Sequence, residues 1–237
     1  MFALVISLAV GWAGTIEGST ATARSLTDSG LGQVMIFNGD FFNIGATVTT
    51  FTVFDSNFGQ GSKFVTPVLF EETSSGVFVV RGIGTSDTVT PGSSPQAFAF
   101  NLMNGTATAS SGLFTFGFIE AVVNSSGTQT TSSTGSVDLN LTVDPGPGVS
   151  GVGTNDWVFT PGPGAGVVNV SLGTTFFIPG GGRTGNFALN NSTVNSDRTY
   201  SANLATNATI PEPGTLTLFA TGGALWLIGL VRSRRRR

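Results

Sequence analysis

An alternation of apolar and polar side chains with a period of two runs through most of the chain from about residue 31. It occurs at residues 49–53, 96–100 and 114–118, and it is most regular at residues 137–143. Successive side chains of a β-strand point to opposite faces, so this pattern predicts strands with one face in a core and one in water. Thr, Val and Phe also favour pleated surfaces.

Clusters of turn-forming residues separate these alternating runs, at residues 74–76, 91–95, 124–127 and 180–182. No interior stretch shows the spacing of an amphipathic helix. The runs amount to roughly nine or ten strands, at the spacing typical of a sandwich or barrel. We therefore expect an all-β body, specifically an antiparallel β-sandwich or jelly-roll-like domain.

The residue types that the chain lacks limit its chemistry. It has no Cys and no His, which excludes a Ser-His-Asp triad, a Cys nucleophile and the usual zinc sites. Only 10% of the residues are charged, so solubility depends on Ser, Thr and Asn. Between residues 24 and 198 the acidic residues outnumber the basic ones, which argues against binding to nucleic acid. We expect no cofactor and no metal site.

The C-terminal end has the features of a membrane segment. Residues 215–231 carry no charge, and as a helix this run would reach about 25 Å, slightly short of a hydrocarbon core of about 30 Å. Trp226 is suited to an interfacial anchor. The basic residues that follow should stay on the cytoplasmic side; they are Arg232, Arg234, Arg235, Arg236 and Arg237. A buried core helix is the alternative, but such a helix rarely ends in consecutive arginines.

The order Pro211-Glu212-Pro213, apolar run and arginine cluster resembles the PEP-CTERM sorting signal of Gram-negative bacteria, which is also labelled an ice-binding-protein C-terminal domain. The resemblance implies recognition by an exosortase, a membrane-embedded transpeptidase, with Pro211, Glu212 and Pro213 as the recognition residues. It also implies cleavage near the motif and a link to exopolysaccharide and biofilm production. Because such a tail determines delivery, the ice-binding label is not transferred to the body.

The N-terminal end resembles a signal peptide. Residues 2–13 form an apolar stretch of suitable length, and Ala21-Thr22-Ala23 is a small-residue cleavage site before Arg24. No Lys or Arg precedes the apolar run, so a start upstream of Met1 and a first buried strand both stay open. The expected organisation is a helical signal peptide at 1–23, a β-domain at 24–204, a linker at 205–214 and a transmembrane helix with its Arg-rich end at 215–237.

Candidate ligand-binding and catalytic residues in the body are few. Trp157 and Tyr200 could stack on sugar rings, although both also suit a core. A glycosidase would need two carboxylates facing a cleft. The acids considered for that role are Glu71, Glu72, Glu120, Asp138 and Asp156. Calcium could be held at turns near Asp40 or Asp144, where Asx turns are the commoner explanation.

The function expected from the sequence is that of an exported, non-enzymatic protein. It would be anchored in the inner membrane before processing and would then reach the cell surface or the extracellular matrix. Its partners would be the membrane, an exosortase-type transpeptidase and, as a further candidate, extracellular polysaccharide. A carbohydrate-binding module and an extracellular glycan hydrolase using Glu120 are the alternatives.

Overall fold

The computed structural model describes residues 16–23, 26–27, 33–38, 41–56, 63–126, 128–130, 140–143, 157–160, 170–189 and 198–207. They all belong to one compact unit, Ala13–Ala208. The predicted transmembrane helix and residues 1–15 of the predicted signal helix lie outside the described residues.

Over the described residues the protein is all-β, as the alternation predicts, and these residues contain no helix. Eighteen strands are found among them, more than the sequence predicts, because several strands have only two to four residues. The strands are β1 (Ile16–Gly18), β2 (Leu26–Thr27), β3 (Val34–Phe37), β4 (Thr47–Val53), β5 (Lys63–Ser74), β6 (Val77–Gly84), β7 (Asp87–Val89), β8 (Gln96–Ala99), β9 (Leu102–Gly105), β10 (Phe114–Ile119), β11 (Val122–Val123), β12 (Gln129–Thr130), β13 (Asn140–Val143), β14 (Trp157–Phe159), β15 (Thr175–Phe177), β16 (Phe187–Ala188), β17 (Arg198–Tyr200) and β18 (Ala202–Asn207).

Two sheets form most of the body. The small sheet has the strand order β1-β18-β4-β8. The large sheet has the order β14-β3-β10-β5-β6-β15-β16, with β7 added beside β5 and β9 beside β6. Two smaller sheets are also present: the two-stranded sheet β11-β12 and the three-stranded sheet β17-β13-β2. Pairing is antiparallel except between β15 and β16, which run parallel, so the expectation of a purely antiparallel body needs this correction.

The main hydrophobic core lies between the small and large sheets. Phe51 of the small sheet packs against Phe116 and Phe118 of the large one, with ring centroids 6.5 and 6.0 Å apart. Val53, Ala202 and Leu204 add to the small sheet's side of the same cluster. The predicted alternation is thus realised in β4, where Val48, Phe51 and Val53 are buried and Thr49 is exposed.

The large sheet is buried on both faces at its centre. All six residues of β10 are buried, although its sequence alternates and predicts one wet face. A second apolar cluster, which includes Ile36, Val68, Phe70 and Ile119, covers the face opposite the main core. Thr115 is buried between strands and donates its hydroxyl hydrogen to the Phe37 carbonyl at 2.6 Å. A satisfied hydroxyl can therefore occupy a position that the sequence pattern assigns to solvent.

The predicted turns lie between the strands. The cluster at residues 74–76 closes the β5–β6 hairpin, where Gly76 has a φ of +72° and its amide donates to the Glu72 carboxylate. Pro67 lies inside the long strand β5. On one side of this strand, β7 pairs with β5 as far as Val65, and β6 pairs with it from Val68 onward, so Pro67 lies in the gap between the two partners. A residue without an N–H is tolerated there because that side of the ladder is interrupted.

Candidate functional site

The last strand, β18, connects the body to the C-terminal tail. It is an interior strand of the small sheet, paired with β1 on one side and β4 on the other. Ala205, Thr206 and Asn207, which the sequence analysis assigns to the linker, pair with Thr50, Val48 and Thr47 of β4. The segment is short and rich in Ala, Thr and Asn, so its strand character depends on these partners more than on its own sequence. Residues 208–210 alone separate it from Pro211.

The first strand, β1, completes the small sheet next to β18. Ile16 pairs with Ala205 and Gly18 with Asn203, in antiparallel register. The chain therefore enters β1 and leaves β18 at the same end of this strand pair. Residues 16–23, which the sequence analysis places in the signal peptide, are thus part of the β-domain in the structure. A three-residue strand gives too little alternation to be recognised from sequence.

Trp157 lies in the core rather than on a ligand-binding surface. Its exposed fraction is 2%, and its ring makes contacts with Phe37, Phe116 and Phe118 at centroid distances of 5.3, 5.5 and 5.6 Å. The indole Nε1–H donates to Ser19 Oγ at 3.1 Å. The polar handle of the indole is therefore satisfied inside the protein, as is usual for buried Trp.

Tyr200 belongs to the same aromatic cluster. It is fully buried, and its ring lies 5.5 Å from that of Trp157 and 5.7 Å from that of Phe118, in edge-to-face geometry. Sugar stacking needs a ring face open to solvent, and neither ring provides one. The structure thus places both candidate ligand-binding residues in structural positions, because the two sheets close over them.

Glu71 is held in a surface ion pair. Its Oε2 accepts from Arg81 Nε and lies 2.7 Å from Arg81 Nη2, while its Oε1 accepts from Ser111 Oγ at 2.8 Å. The hydrogen bond from Ser111, assisted by Arg81 and opposed by partial burial, holds the pKa of Glu71 below its ordinary value of 4.5. Both carboxylate oxygens are engaged, which suits a structural ion pair across β5 and β6 rather than an acid in a cleft.

The remaining acids considered for catalysis do not converge in the described part of the chain. Glu120 follows β10 and is 2% exposed, so its carboxylate is not open to a soluble glycan. Glu72 accepts from the Gly76 amide in the β5–β6 turn. Asp138 and Asp156 lie outside the described residues.

The described residues contain neither a cluster of metal ligands nor a membrane-spanning helix. Within the described ranges no three acidic side chains are close enough to hold a metal ion. Asp40 and Asp144, near the turns considered for calcium, fall outside those ranges. Where the chain is described, none of its segments is a helix with the length and hydropathy needed to span a membrane.

The comparison with known families decides the nature of the tail that follows β18. The family profile described as the PEP-CTERM protein-sorting motif matches residues 209–237. The C-terminal tail is a PEP-CTERM sorting motif. The match begins two residues after β18 ends at Asn207, so the motif is joined directly to the sheet. It contains Pro211, Glu212, Pro213, Trp226 and the terminal arginines, which lie outside the described residues.

The PEP-CTERM motif indicates how the protein is delivered and processed. It indicates an exported protein that associates with the membrane and is processed by an exosortase-type enzyme. The match says nothing about the β-domain, because it begins at residue 209, after that domain has ended. No curated protein and no solved structure matches the chain.

Proposed function

We propose that this protein is an exosortase-processed component of the cell surface or extracellular matrix, whose β-domain acts structurally or in adhesion without catalysis. The observation that carries the proposal is the sorting motif at residues 209–237, joined to a β-domain through residue 208 alone. The tail accounts for export and processing. We infer that the domain is a two-sheet β-sandwich and that it is the part of the protein presented after processing.

The accessible chemistry of the domain supports a non-catalytic role. Of the described acids considered for catalysis, Glu71 is engaged with Arg81 and Ser111, and Glu120 is buried. The surface of the small sheet instead carries threonine hydroxyls together with apolar side chains such as Ile16. Thr47 Oγ1 lies 2.8 Å from Thr108 Oγ1, and Thr49 Oγ1 donates to the Ala205 carbonyl at 3.1 Å. Such a surface, nearly free of charge, suits packing against neutral polymers or other protein chains.

Exopolysaccharide remains a proposed partner in the surroundings of the protein. The carbohydrate-binding alternative gains no support from Trp157 or Tyr200, since both rings are covered. Contacts to a polysaccharide would have to use the hydroxyl-rich surface, through hydrogen bonds instead of ring stacking. The final destination, at the cell surface or released outside it, and a role in biofilm are likewise part of the proposal.

The sorting step is tested in a host that carries an exosortase. We expect replacement of Pro211, Glu212 and Pro213 by alanine to lower the processed fraction at least tenfold, with the uncut chain accumulating in the membrane fraction. Deletion of residues 232–237 should likewise impair retention and processing. Pro95→Ala, at an exposed proline in the turn before β8, is the matched control and should be processed normally. Normal processing of both motif variants would refute the proposal.

The short connection between β18 and the motif imposes a distance limit on the enzyme. From Asn207 to Pro211 the fully extended chain reaches about 14 Å, so cleavage near the motif must occur within that reach of the folded sheet. Deletion of residues 208–210 should slow processing, because part of β18 must then leave the sheet. Replacement of the same residues by Gly-Ser-Gly keeps the length and should leave the rate unchanged. Equal rates for the deletion and the replacement would show that the limit does not apply.

A further inference from the structure

We propose that the leader is cut upstream of Ile16, at the bond after Ala13, so that the exported domain keeps β1 and residues 19–23. This inference rests on the proposed export. It replaces the cleavage point after Ala23 that the sequence suggests, and it assigns residues 16–23 to the body of the protein.

Hydrogen bonds hold the segment at 16–23 to β18 and its neighbours. The Ser19 amide donates to the Ala202 carbonyl at 3.0 Å, and Asn203 Nδ2 donates to the Ser19 carbonyl at 3.3 Å. Ser201 Oγ donates to the Thr22 carbonyl at 2.6 Å. These bonds continue past the last residue of β1, so the whole segment is attached and not only the three residues of the strand.

The same segment also closes one side of the main core. Gly18 has a φ of +101°, and a Cβ there would lie 2.6 Å from Cζ of Phe116, so the backbone rests directly on that ring. Ser19 accepts the hydrogen bond from the buried indole of Trp157. Ala21 is buried as well, with 8% of its surface exposed.

Removal of residues up to Ala23 would therefore damage the finished domain. β18 would become an edge strand with unpaired backbone groups, a common template for unwanted association. Trp157 Nε1–H would lose its acceptor while part of the Phe116 ring became exposed. A buried donor without a partner destabilises the folded state. Signal peptidases act on the unfolded chain during export, so exposure of a bond in the folded domain does not decide where they cut. The folded domain nevertheless needs residues 16–23.

The sequence offers a suitable bond upstream. Gly11 and Ala13 are small and stand two residues apart, the spacing that leader peptidases recognise, and they follow the apolar residues 2–10. Water adds across the Ala13–Gly14 peptide bond, so that Ala13 gains a carboxylate and Gly14 a free amino group. Residues 14 and 15 then precede β1, and no residue of the sheet is lost.

The test is the N-terminal sequence and intact mass of the full chain after export. We expect Gly14 as the new N-terminus; Arg24 as the N-terminus, or an uncut leader, would overturn the proposal. Ala13→Leu should reduce leader removal at least tenfold. The matched variant Ala23→Leu, at an exposed position, should leave the N-terminus unchanged. The reverse pattern would also overturn the proposal.

A second measurement separates this inference from the proposed export. If no chain leaves the cytosol, export itself is refuted, and amide hydrogen exchange on the full chain then decides the role of β1. The Ser19 amide should exchange as slowly as that of Phe54, which donates to the Ser201 carbonyl in the same region. Exchange of Ser19 at the rate of an unstructured peptide would refute the retention of β1.

Discussion

Replacement of Trp157 by alanine should destabilise the β-domain rather than abolish a binding activity. The indole is enclosed by Phe37, Phe116, Phe118 and Tyr200, at centroid distances between 5.3 and 5.6 Å. Truncation of a large aromatic side chain in a filled core costs about 3–5 kcal/mol. Loss of the hydrogen bond to Ser19 adds about 1 kcal/mol.

This loss is large beside the total stability of about 5–15 kcal/mol that single domains have. At about 2–4 °C per kcal/mol for a chain of this size, Tm should fall by about 10–20 °C. Thermal unfolding of the full chain in detergent, followed by circular dichroism, measures the shift. Leu113→Ala serves as the control, because that side chain is 45% exposed and should change Tm little.

The same variant also distinguishes the carbohydrate-binding alternative from the structural one. A sugar-stacking Trp157 would lose polysaccharide binding in a pull-down while Tm stayed within a degree or two of the parent protein. That result would contradict the burial of the ring and the argument built on it. A double-mutant cycle with Trp157→Phe and Ser19→Ala should show a coupling of about 1 kcal/mol if β1 is attached through this hydrogen bond.

Three further predictions concern stability and are checked by the same melts. A Cβ at Gly117 would overlap the Met35 carbonyl oxygen and force β10 away from β3, so Gly117→Ala should cost about 3 kcal/mol or more, whereas Gly112→Ala meets nothing closer than 4.0 Å and should be near neutral. Desolvation raises the pKa of Asp87 above 3.8, so the charged form lowers stability at neutral pH; Asp87→Asn should raise Tm slightly at pH 7, with the gain vanishing as the pH falls below 3.8. The pKa of Glu71 is lowered, so its charged form stabilises the folded protein. Glu71→Gln should therefore reduce Tm at pH 7, and this deficit should shrink as the pH falls below 4.5. A stability difference that does not change with pH for either variant would contradict these assignments.

The strands that sequence could predict are those whose pattern is local. Residues 49–53, 96–99 and 114–118 all lie in strands, and the glycines at 180–182 form a turn with positive φ. Local alternation cannot tell whether a second layer covers the outer face, which is why the full burial of β10 was not predicted. It also cannot register a strand of three residues such as β1, whose partner β18 is far away in sequence.

The candidate site shows the same division between local and long-range information. The sorting tail was predictable because its three features follow one another in the chain, and the family match confirms it. The roles of Trp157 and Tyr200 depend on neighbours from β3, β10 and the segment after β1, which no local pattern reveals. The sequence gives no indication that Ser19 accepts a hydrogen bond from Trp157, because a serine between Gly18 and Thr20 is typical of a loop.

The fold of the β-domain is complete only when its first strand, β1, pairs with its last strand, β18. β18 is an interior strand of the small sheet, so that sheet cannot form until residues 202–207 have been exported. Contacts between such distant segments form slowly, because a long loop must close first. On the proposed sorting pathway, a tail held in the membrane would keep β18 near β1 and β4 until the three strands have paired. Cleavage near Pro211 would then follow the pairing of β18 on both sides, so that β18 would not be left as an open edge that promotes aggregation.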